Sequence, residues 1–326
     1  MPIDDKPKRY VFLLLPGFSP LGFTCAQEAL ALANRFADGR QYYDWMLLSE
    51  DGGPVTAWNG LQVSAQAGLI DLDRHDTLVV CAGVDAAAGS TRKVMGWLRR
   101  ETRRGIDFGA ISSGSYTLAL AGLLSGRTVT THWEYATAMA EKFPDVTVRD
   151  AIYSVDGRVF SCAGSASSMD LMLERIRLDY GGELSGWVAD QMVYPARRPE
   201  GQGQRGALWG QLGVRHSSLA RAIDIMRANL EEPLAPSDLA RAAGVSIRQL
   251  ERLFARYLET SPKRYYLGLR LEKARSLLAQ TDLPLMEISL VCGFKAPSHF
   301  SKTYRKAFGV PPSRDTGSAS FLVSRR

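Results

Sequence analysis

The chain has 326 residues, 45% of them apolar, and a net charge of +6, which suits two globular domains better than one. No apolar run approaches the ~18–20 residues that cross a bilayer. KRYVFLLLP before Pro16 is too short for a signal peptide, and Cys25, Cys81, Cys162 and Cys292 are scattered without a C-x-x-C pair. A membrane span, a secreted disulfide framework and a zinc site are thereby excluded, and a cytoplasmic protein with reduced thiols, no metal and no cofactor is expected.

In chain order, Arg9–Leu15 is an apolar strand ended by Pro16-Gly17. Cys25–Phe36 reads as a helix with Ala26, Leu30, Ala33 and Phe36 along one side. Tyr43–Ser49 is a second strand, Leu61–Ala65 an edge strand or part of a hairpin, and Thr77–Cys81 a short apolar strand. Thr91–Arg103 is a helix with a basic outer face. Phe108–Ile111 is a strand running through Ser112-Ser113-Gly114-Ser115 into a helix at Tyr116–Leu124. Thr128–Thr131 is extended and Glu134–Phe143 helical. Val146–Arg149, Ile152–Val155 and Val159–Cys162 are short strands, the last two joined by an Asp156-Gly157 turn. Helices follow at Ser168–Tyr180 and Leu184–Val193. Apolar strands alternating with helices predict an α/β domain with a mostly parallel sheet over 1–195. Residues 196–213 are rich in Gly, Pro, Gln and Arg and read as a linker. An all-α domain is expected over 214–326, its tail beyond Pro312 poorly ordered.

Ligands of a parallel sheet sit beyond the carboxyl ends of its strands. Pro16–Gly22, Cys81–Asp85 and Ser112–Ser115 are expected to converge there. Gly114 permits a sharp turn into a helix, whose first N–H groups suit an anion such as a carboxylate. Phe18, Cys81, Ser112, Ser113, His132 and Trp133 are the candidate pocket residues, and Phe18, Phe23, Tyr116 and Trp133 offer aromatic faces to a cationic ligand. Ser112 with His132 would also serve as a nucleophile and base, with Glu134 near in sequence. Otherwise His132 is a core histidine beside Trp133. Cys81 is either a redox-sensing thiol or an inert strand residue.

The C-terminal part carries two similar patterns, at about 234–257 and 285–307. Each is a short helix, a glycine (Gly244 or Gly293) and a second helix. Ser237 is a candidate cap of the first helix, Ser246-Ile-Arg-Gln249 fits a capping box, and Ser298 is a candidate cap of the last helix. Leu250, Leu253, Phe254 and Tyr257 mark one inner face, Phe300, Tyr304 and Ala307 the other. Arg248, Gln249, Arg252 and Arg256 point outward on one second helix, and Ser298, His299, Lys302 and Arg305 on the other. That is the layout of a helix-turn-helix that enters a major groove. Arg248, Gln249, Arg252, Ser298, His299 and Lys302 are expected at base edges, and Arg256, Arg305, Lys306 and Lys263 at phosphates. From Val214 onward there are 19 Lys and Arg against 10 Asp and Glu, a net of +9 that leaves −3 for the rest. Basic charge thus gathers where the helix-turn-helix pairs lie, the footprint of a duplex-binding module.

The order of residues adds a resemblance. Ser261-Pro262, Arg270-Leu271, Ala274-Arg275, Leu277-Leu278, Cys292-Gly293-Phe294, Ser298-His299-Phe300 and Phe308-Gly309-Val310-Pro311-Pro312 resemble the AraC/XylS family of transcription regulators. In that family two helix-turn-helix units are joined by a long helix, here about Lys263–Gln280, with Leu267, Leu271, Ala274 and Leu278 as its stripe. Ala110-Ile-Ser-Ser-Gly114, Leu118-Ala119, Ala121-Gly-Leu-Leu124, Gly126-Arg127, Thr131-His132-Trp133, Cys162-Ala163-Gly164, Asp170-Leu-Met-Leu173 and Val188-Ala189-Asp190-Gln191 resemble the PfpI/class I glutamine-amidotransferase-like domain, of flavodoxin-like fold. The combination is similar to the GlxA-like regulators, a group with members that respond to arginine or to carnitine- and betaine-like amines. Enzymatic relatives carry a cysteine at the elbow, a histidine beside it and an acid in the first strand's loop. Here the elbow is Ser112, the histidine position matches His132, and the acid position falls near Gly22, with no carboxylate in Pro16–Thr24. The resemblance therefore implies a non-enzymatic activator that binds double-stranded DNA as a homodimer, senses a small effector and can contact RNA polymerase. The alternative is an amidase or glyoxalase-like enzyme carrying a DNA-binding domain.

Overall fold

Five consecutive side chains, Tyr10 to Leu14, are wholly buried because they lie on the central strand β1 (Lys8–Leu14) of a sheet covered on both faces. They alternate with period two. Tyr10, Phe12 and Leu14 enter one core and Val11 and Leu13 the other. The computed structural model describes residues 6–36, 39–83, 85–195, 197–204, 217–281 and 283–315, in two units, Met1–Gln204 and Arg205–Arg326. β1 pairs in parallel with β2 (Tyr43–Leu48) and β5 (Thr77–Cys81). The sheet continues through β6 (Asp107–Ile111) and β10 (Val159–Cys162), and ends in an antiparallel edge strand, β9 (Tyr153–Asp156), so its order is β2-β1-β5-β6-β10-β9. Leu61–Ala65 contributes one arm of a separate hairpin, β3 (Val55–Thr56) with β4 (Gln62–Val63). Thr128–Thr131 and Val146–Arg149 supply the small parallel pair β7 (Thr128–Val129) and β8 (Thr147–Val148).

The helices of this unit are α1 (Pro20–Ala33), α2 (Ala86–Gly89), α3 (Arg92–Thr102), α4 (Gly114–Leu120), α5 (Trp133–Lys142), α6 (Ser167–Tyr180) and α7 (Gly182–Gln191). Buried residues of α1, α6 and α7 share the core of Tyr10, Phe12 and Leu14; those of α3, α4 and α5 share the core of Val11 and Leu13. α1 starts at Pro20, five residues before the sequence pattern suggested. Ser19 caps it by accepting from the Gly22 N–H at 3.4 Å, and proline takes the first helical position, where its missing N–H costs nothing.

The second unit comprises α8 (Ser217–Ala228), α9 (Pro236–Ala242), α10 (Ile247–Leu258), α11 (Pro262–Gln280), α12 (Leu285–Val291) and α13 (Pro297–Phe308), then a short 3-10 turn, Pro312–Arg314. α8 buries Leu219, Ala222, Ile223 and Met226 against Leu239, Leu250 and Phe254. The second helix pair is built on aromatic edges: Phe294–Phe300 at 5.1 Å, Phe300–Tyr304 at 5.5 Å and Tyr304–Phe308 at 4.6 Å. Phe308, not Ala307, closes that face; Ala307 is exposed. The expected stripe on α11 is also displaced. Tyr266, Leu269, Leu271, Ala274 and Leu277 are buried, while Leu267 and Leu278 are half-buried. Its first half belongs to the core of the first helix pair through Tyr266 and Leu269. The guanidinium of Arg270 reaches the turn of the second pair, donating to the carbonyls of Cys292 at 2.8 Å and Gly293 at 2.7 Å. A helix serving two cores has no single stripe. Of the tail expected to be poorly ordered after Pro312, the first three residues are held in place: Ser313 and Arg314 by the 3-10 turn, and Asp315 by the Tyr304 hydroxyl at 2.8 Å and Arg275 at 3.1 Å; residues 316–326 lie outside the described residues.

Candidate functional site

The three loops expected to converge do so. Leu15 N–H donates to the Cys81 carbonyl, Ser19 N–H to that of Ala82, and Phe18 bridges Gly83. Ser113 Oγ donates to the Gly83 carbonyl at 2.5 Å, tying the third loop to the second. The turn itself differs from the expectation in its mechanism. Ser112, not Gly114, takes the left-handed conformation, with φ 60°. A non-glycine residue there costs energy and persists only where its surroundings fix it. Here Ser112 N–H donates to the Cys162 carbonyl at 3.0 Å, and Thr131 Oγ1 donates to the Ser112 carbonyl at 3.0 Å. Glycine is needed at 114 for close approach, since a Cβ would strike the Val80 carbonyl. Gly164, quoted above only within the resemblance and given no role there, is required too: a Cβ would lie 2.6 Å from that of Ser112.

The elbow carries Ser112 where enzymatic relatives carry a cysteine, and Gly22 stands at the acid position. A Cβ at Gly22 would fall 2.8 Å from Ile111 Cγ2 and 3.1 Å from the Ser165 N, so a side chain at the acid position would have to displace Ile111. His132 caps α5, its Nδ1 accepting from the Glu134 N–H at 3.4 Å. Burial lowers its pKa, so the imidazole is held neutral although Glu134 Oε2 lies at 3.5 Å. Its ring sits 5.2 Å from that of Trp133, which is half-buried. Cys81 is wholly buried in the core with Phe12, Phe18 and Cys162. Burial raises its thiol well above the ordinary range, the opposite of a reactive thiolate. Phe18 is likewise fully buried, edge-on to Phe23 at 5.9 Å. Ser112 and Ser113 are 6% and 0% exposed.

Residues 197–204, the first half of the expected linker, are strapped along the sheet edge. Arg198 donates from Nη2 and Nε to Asp170 Oδ2, at 2.7 and 3.0 Å, and from its N–H to Asp170 Oδ1 at 2.7 Å. Glu200 Oε1 accepts from the Val155 N–H, and the Gln202 carbonyl from that of Ile152. Gln204 Nε2 donates to the Thr131 carbonyl at 2.8 Å and to Thr130 Oγ1 and the Ala151 carbonyl at 3.0 Å. Thr131 therefore touches both the elbow, through its hydroxyl, and the last described residue of the strap, through its carbonyl. The signal for this was Asp170, an acid in an otherwise apolar helix segment. The remainder of the linker, 205–213, lies outside the described residues.

In the second unit every candidate DNA contact is exposed: Arg248, Gln249, Arg252 and Arg256 on α10, and Ser298, His299, Lys302 and Arg305 on α13. The capping box at Ser246 forms. It engages Gln249 Oε1 with the Ser246 N–H at 2.9 Å, leaving the amide nitrogen as that side chain's outward group. The caps expected at Ser237 and Ser298 do not form. Ala235 and Ala296 take those positions, with Pro236 and Pro297 opening the helices. The residue before a proline is driven to extended backbone, which is the N-cap conformation. Gly244 and Gly293 have φ 73° and 75°, as the two turns require.

Comparison with known proteins agrees with both halves. The DJ-1/PfpI family matches residues 8–178 and the helix-turn-helix domain family residues 239–316. The chain is 44% identical to the HTH-type transcriptional regulator CdhR of Pseudomonas aeruginosa, covering 93% of this chain and 90% of that one. It is 36% identical to the HTH-type transcriptional regulator GlxA of Rhizobium meliloti, covering 94% of each. A crystal structure of an AraC family transcriptional regulator from Pseudomonas putida matches 57% of this chain and all of its own, with 28% identity and a TM-score of 0.51. A THiJ/PfpI family protein from Pseudomonas syringae shares the fold at 19% identity and a TM-score of 0.53, over 64% of this chain and 87% of its own. Among the described residues no helix is long and apolar enough to cross a membrane. A flavodoxin-like sheet with a strained serine elbow, followed by two helix-turn-helix units on a shared helix, thus places the chain in the DJ-1/PfpI family, among the HTH-type transcriptional regulators that join such a domain to an AraC-type DNA-binding domain.

Proposed function

We propose that the chain is a cytoplasmic, effector-responsive activator whose α10 and α13 read adjacent major-groove segments and whose α/β domain senses a small amine without catalysing a reaction. The supporting observation for DNA reading is the pair of exposed basic and polar helix faces on one shared α11. Arg248, Gln249, Arg252, Ser298, His299 and Lys302 are assigned to base edges, and Arg256, Arg305, Lys306 and Lys263 to phosphates. Arg252→Ala should lose about 1–3 kcal/mol of discrimination at one base pair. The check is anisotropy on an operator selected from random duplexes and on its single-base variants. Equal discrimination in both proteins would remove Arg252 from the reading set.

The crowded acid position at Gly22 and the unreactive Cys81 support sensing over catalysis. The relatives named above are regulators, and the effector class suggested is an amino acid or a quaternary-amine-like compound. A homodimer would occupy paired sites, and activation would involve RNA polymerase. A thermal-shift panel of amino acids, betaines, carnitine and polyamines tests the class. A true effector at 100 times its dissociation constant stabilises the protein by about 2.7 kcal/mol. A flat panel would reject the amine class, and turnover of amide or dicarbonyl substrates that Ser112→Ala abolishes would restore an enzymatic reading.

A further inference from the structure

The helix α3 sorts its basic residues onto two faces. Lys93, Arg100 and Arg104 are satisfied locally: Lys93 by the Glu50 carbonyl, Arg100 and Arg104 by Asp71 and the buried Glu101. Arg92, Arg99 and Arg103 lie at i, i+7 and i+11, one exposed stripe about 16 Å long at 1.5 Å per residue. Among the described residues none of the three pairs with a carboxylate; Arg99 Nε donates to the Ala121 carbonyl. Just past the end of the helix, exposed Arg158 donates to the Gly105 carbonyl at 2.5 Å.

Two features of this face oppose local stability. Arg92 opens a helix that has no acidic residue in its first turn, so its charge meets the positive end of the helix dipole. Gly96 sits mid-helix on the same stripe, where a glycine weakens a helix, and a Cβ there would meet nothing within 4 Å. No packing constraint asks for the glycine, and no ion pair asks for Arg92. Local choices that contradict the fold mark functional surface. A smooth, uncompensated cationic stripe fits an extended polyanion. The chain's proposed ligand, duplex DNA, carries one charge per about 1.7 Å of axis.

We infer that the Arg92–Arg99–Arg103 stripe of α3 is a second DNA-binding surface, which grips phosphates outside the segment read by the helix-turn-helix pairs and adds affinity without sequence preference. The inference rests on the reading of the chain as a duplex-binding protein. The test uses the full chain and a mixed-sequence duplex of roughly 60 bp, long enough for several helical turns, with affinity followed against salt. Each phosphate that an arginine neutralises accounts for ~0.9 of the log–log slope, so for each bound protomer the slope should become shallower by about 2.7 in Arg92→Gln/Arg99→Gln/Arg103→Gln and by about 1.8 in Arg92→Gln/Arg103→Gln. This graded loss, with unchanged melting temperatures, distinguishes a phosphate grip from a folding defect. Equal slopes in all three proteins overturn the inference while leaving the helix-turn-helix reading intact. Equal slopes with weakened transcription in a reconstituted system would assign the stripe to an acidic protein, which also overturns it. A wild-type chain that binds no duplex fails both readings.

Discussion

Gly293→Ala is expected to destabilise the DNA-binding unit by about 2–5 kcal/mol, combining the left-handed penalty of ~1–2 kcal/mol with overpacking of ~1–3 kcal/mol. At φ 75° alanine is already strained, and its Cβ would lie 2.5 Å from the Leu230 carbonyl and 2.9 Å from that of Glu231 and from Pro233 Cδ. Those atoms belong to the loop between α8 and α9, which is itself pinned. Tyr266 on α11 donates to the Asn229 carbonyl and accepts from the Leu234 N–H. The loop cannot retreat without breaking those bonds, and the turn cannot retreat without breaking the Arg270 bonds to Cys292 and Gly293. Gly244 is the internal control. Its φ is 73°, yet a Cβ there meets no atom closer than Arg221 Nη1 at 3.6 Å, so Gly244→Ala should cost about 1–2 kcal/mol, the left-handed penalty alone. Urea unfolding and operator affinity of the two variants decide the matter. If they are indistinguishable, the loop is not the rigid wall described, and the second turn is set by backbone preference alone.

The same turn shows what a sequence displays and what it hides. Gly293 was legible as a helix stop because a left-handed residue after an apolar periodic run is a local requirement. Its second role, admitting a loop some sixty residues earlier, has no local signal. The apolar strands were legible because burial on both faces makes them continuously apolar, and the elbow because Ser-Ser-Gly between a strand and a helix admits few alternatives. The helices at Pro236 and Pro297 start ahead of where serine caps would put them, and the one at Pro20, capped by Ser19, starts ahead of the apolar pattern read from Cys25. Proline at the first helical position supplies the geometry with no side-chain acceptor in two of the three. The faces of α11 and α13 are shifted because both helices serve tertiary partners, two cores in one case and a chain of aromatic edges ending at Phe308 in the other. The largest misreading was 197–204. Its Gly, Pro, Gln and Arg content is that of a flexible segment, and it is fixed by bonds to residues that are distant in sequence.

That strap carries the second large effect. Arg198→Met should destabilise the α/β domain by about 2–3 kcal/mol. Breaking a buried ion pair costs ~3–5 kcal/mol, and an Arg198 side chain about one-third exposed brings the figure to the lower end of that range or just below it. Asp170 is 0% exposed, in the first turn of α6, where a negative charge is favoured. Methionine keeps the apolar stem of Arg198 but leaves that carboxylate with the Tyr194 hydroxyl, at 3.1 Å, and one backbone N–H. Asp170→Asn in the Arg198→Met background removes the orphaned charge and should recover part of the loss. The readout is hydrogen exchange at Ile152 and Val155, whose N–H groups are held by the strap's Gln202 and Glu200. Both should exchange faster in Arg198→Met, because β9 is the sheet edge and its outer bonds come from the strap. Unchanged protection there would mean that the strap stays seated without its ion pair. Faster exchange would also loosen Gln204 from the Thr131 carbonyl, and with it the chain of bonds Ser112–Thr131–Gln204 that runs from the elbow to the last described residue of the α/β unit. The proposed effector should then still raise the melting temperature of Arg198→Met while changing its operator affinity less than in the wild type. Equal effector responses would show that the signal bypasses the strap.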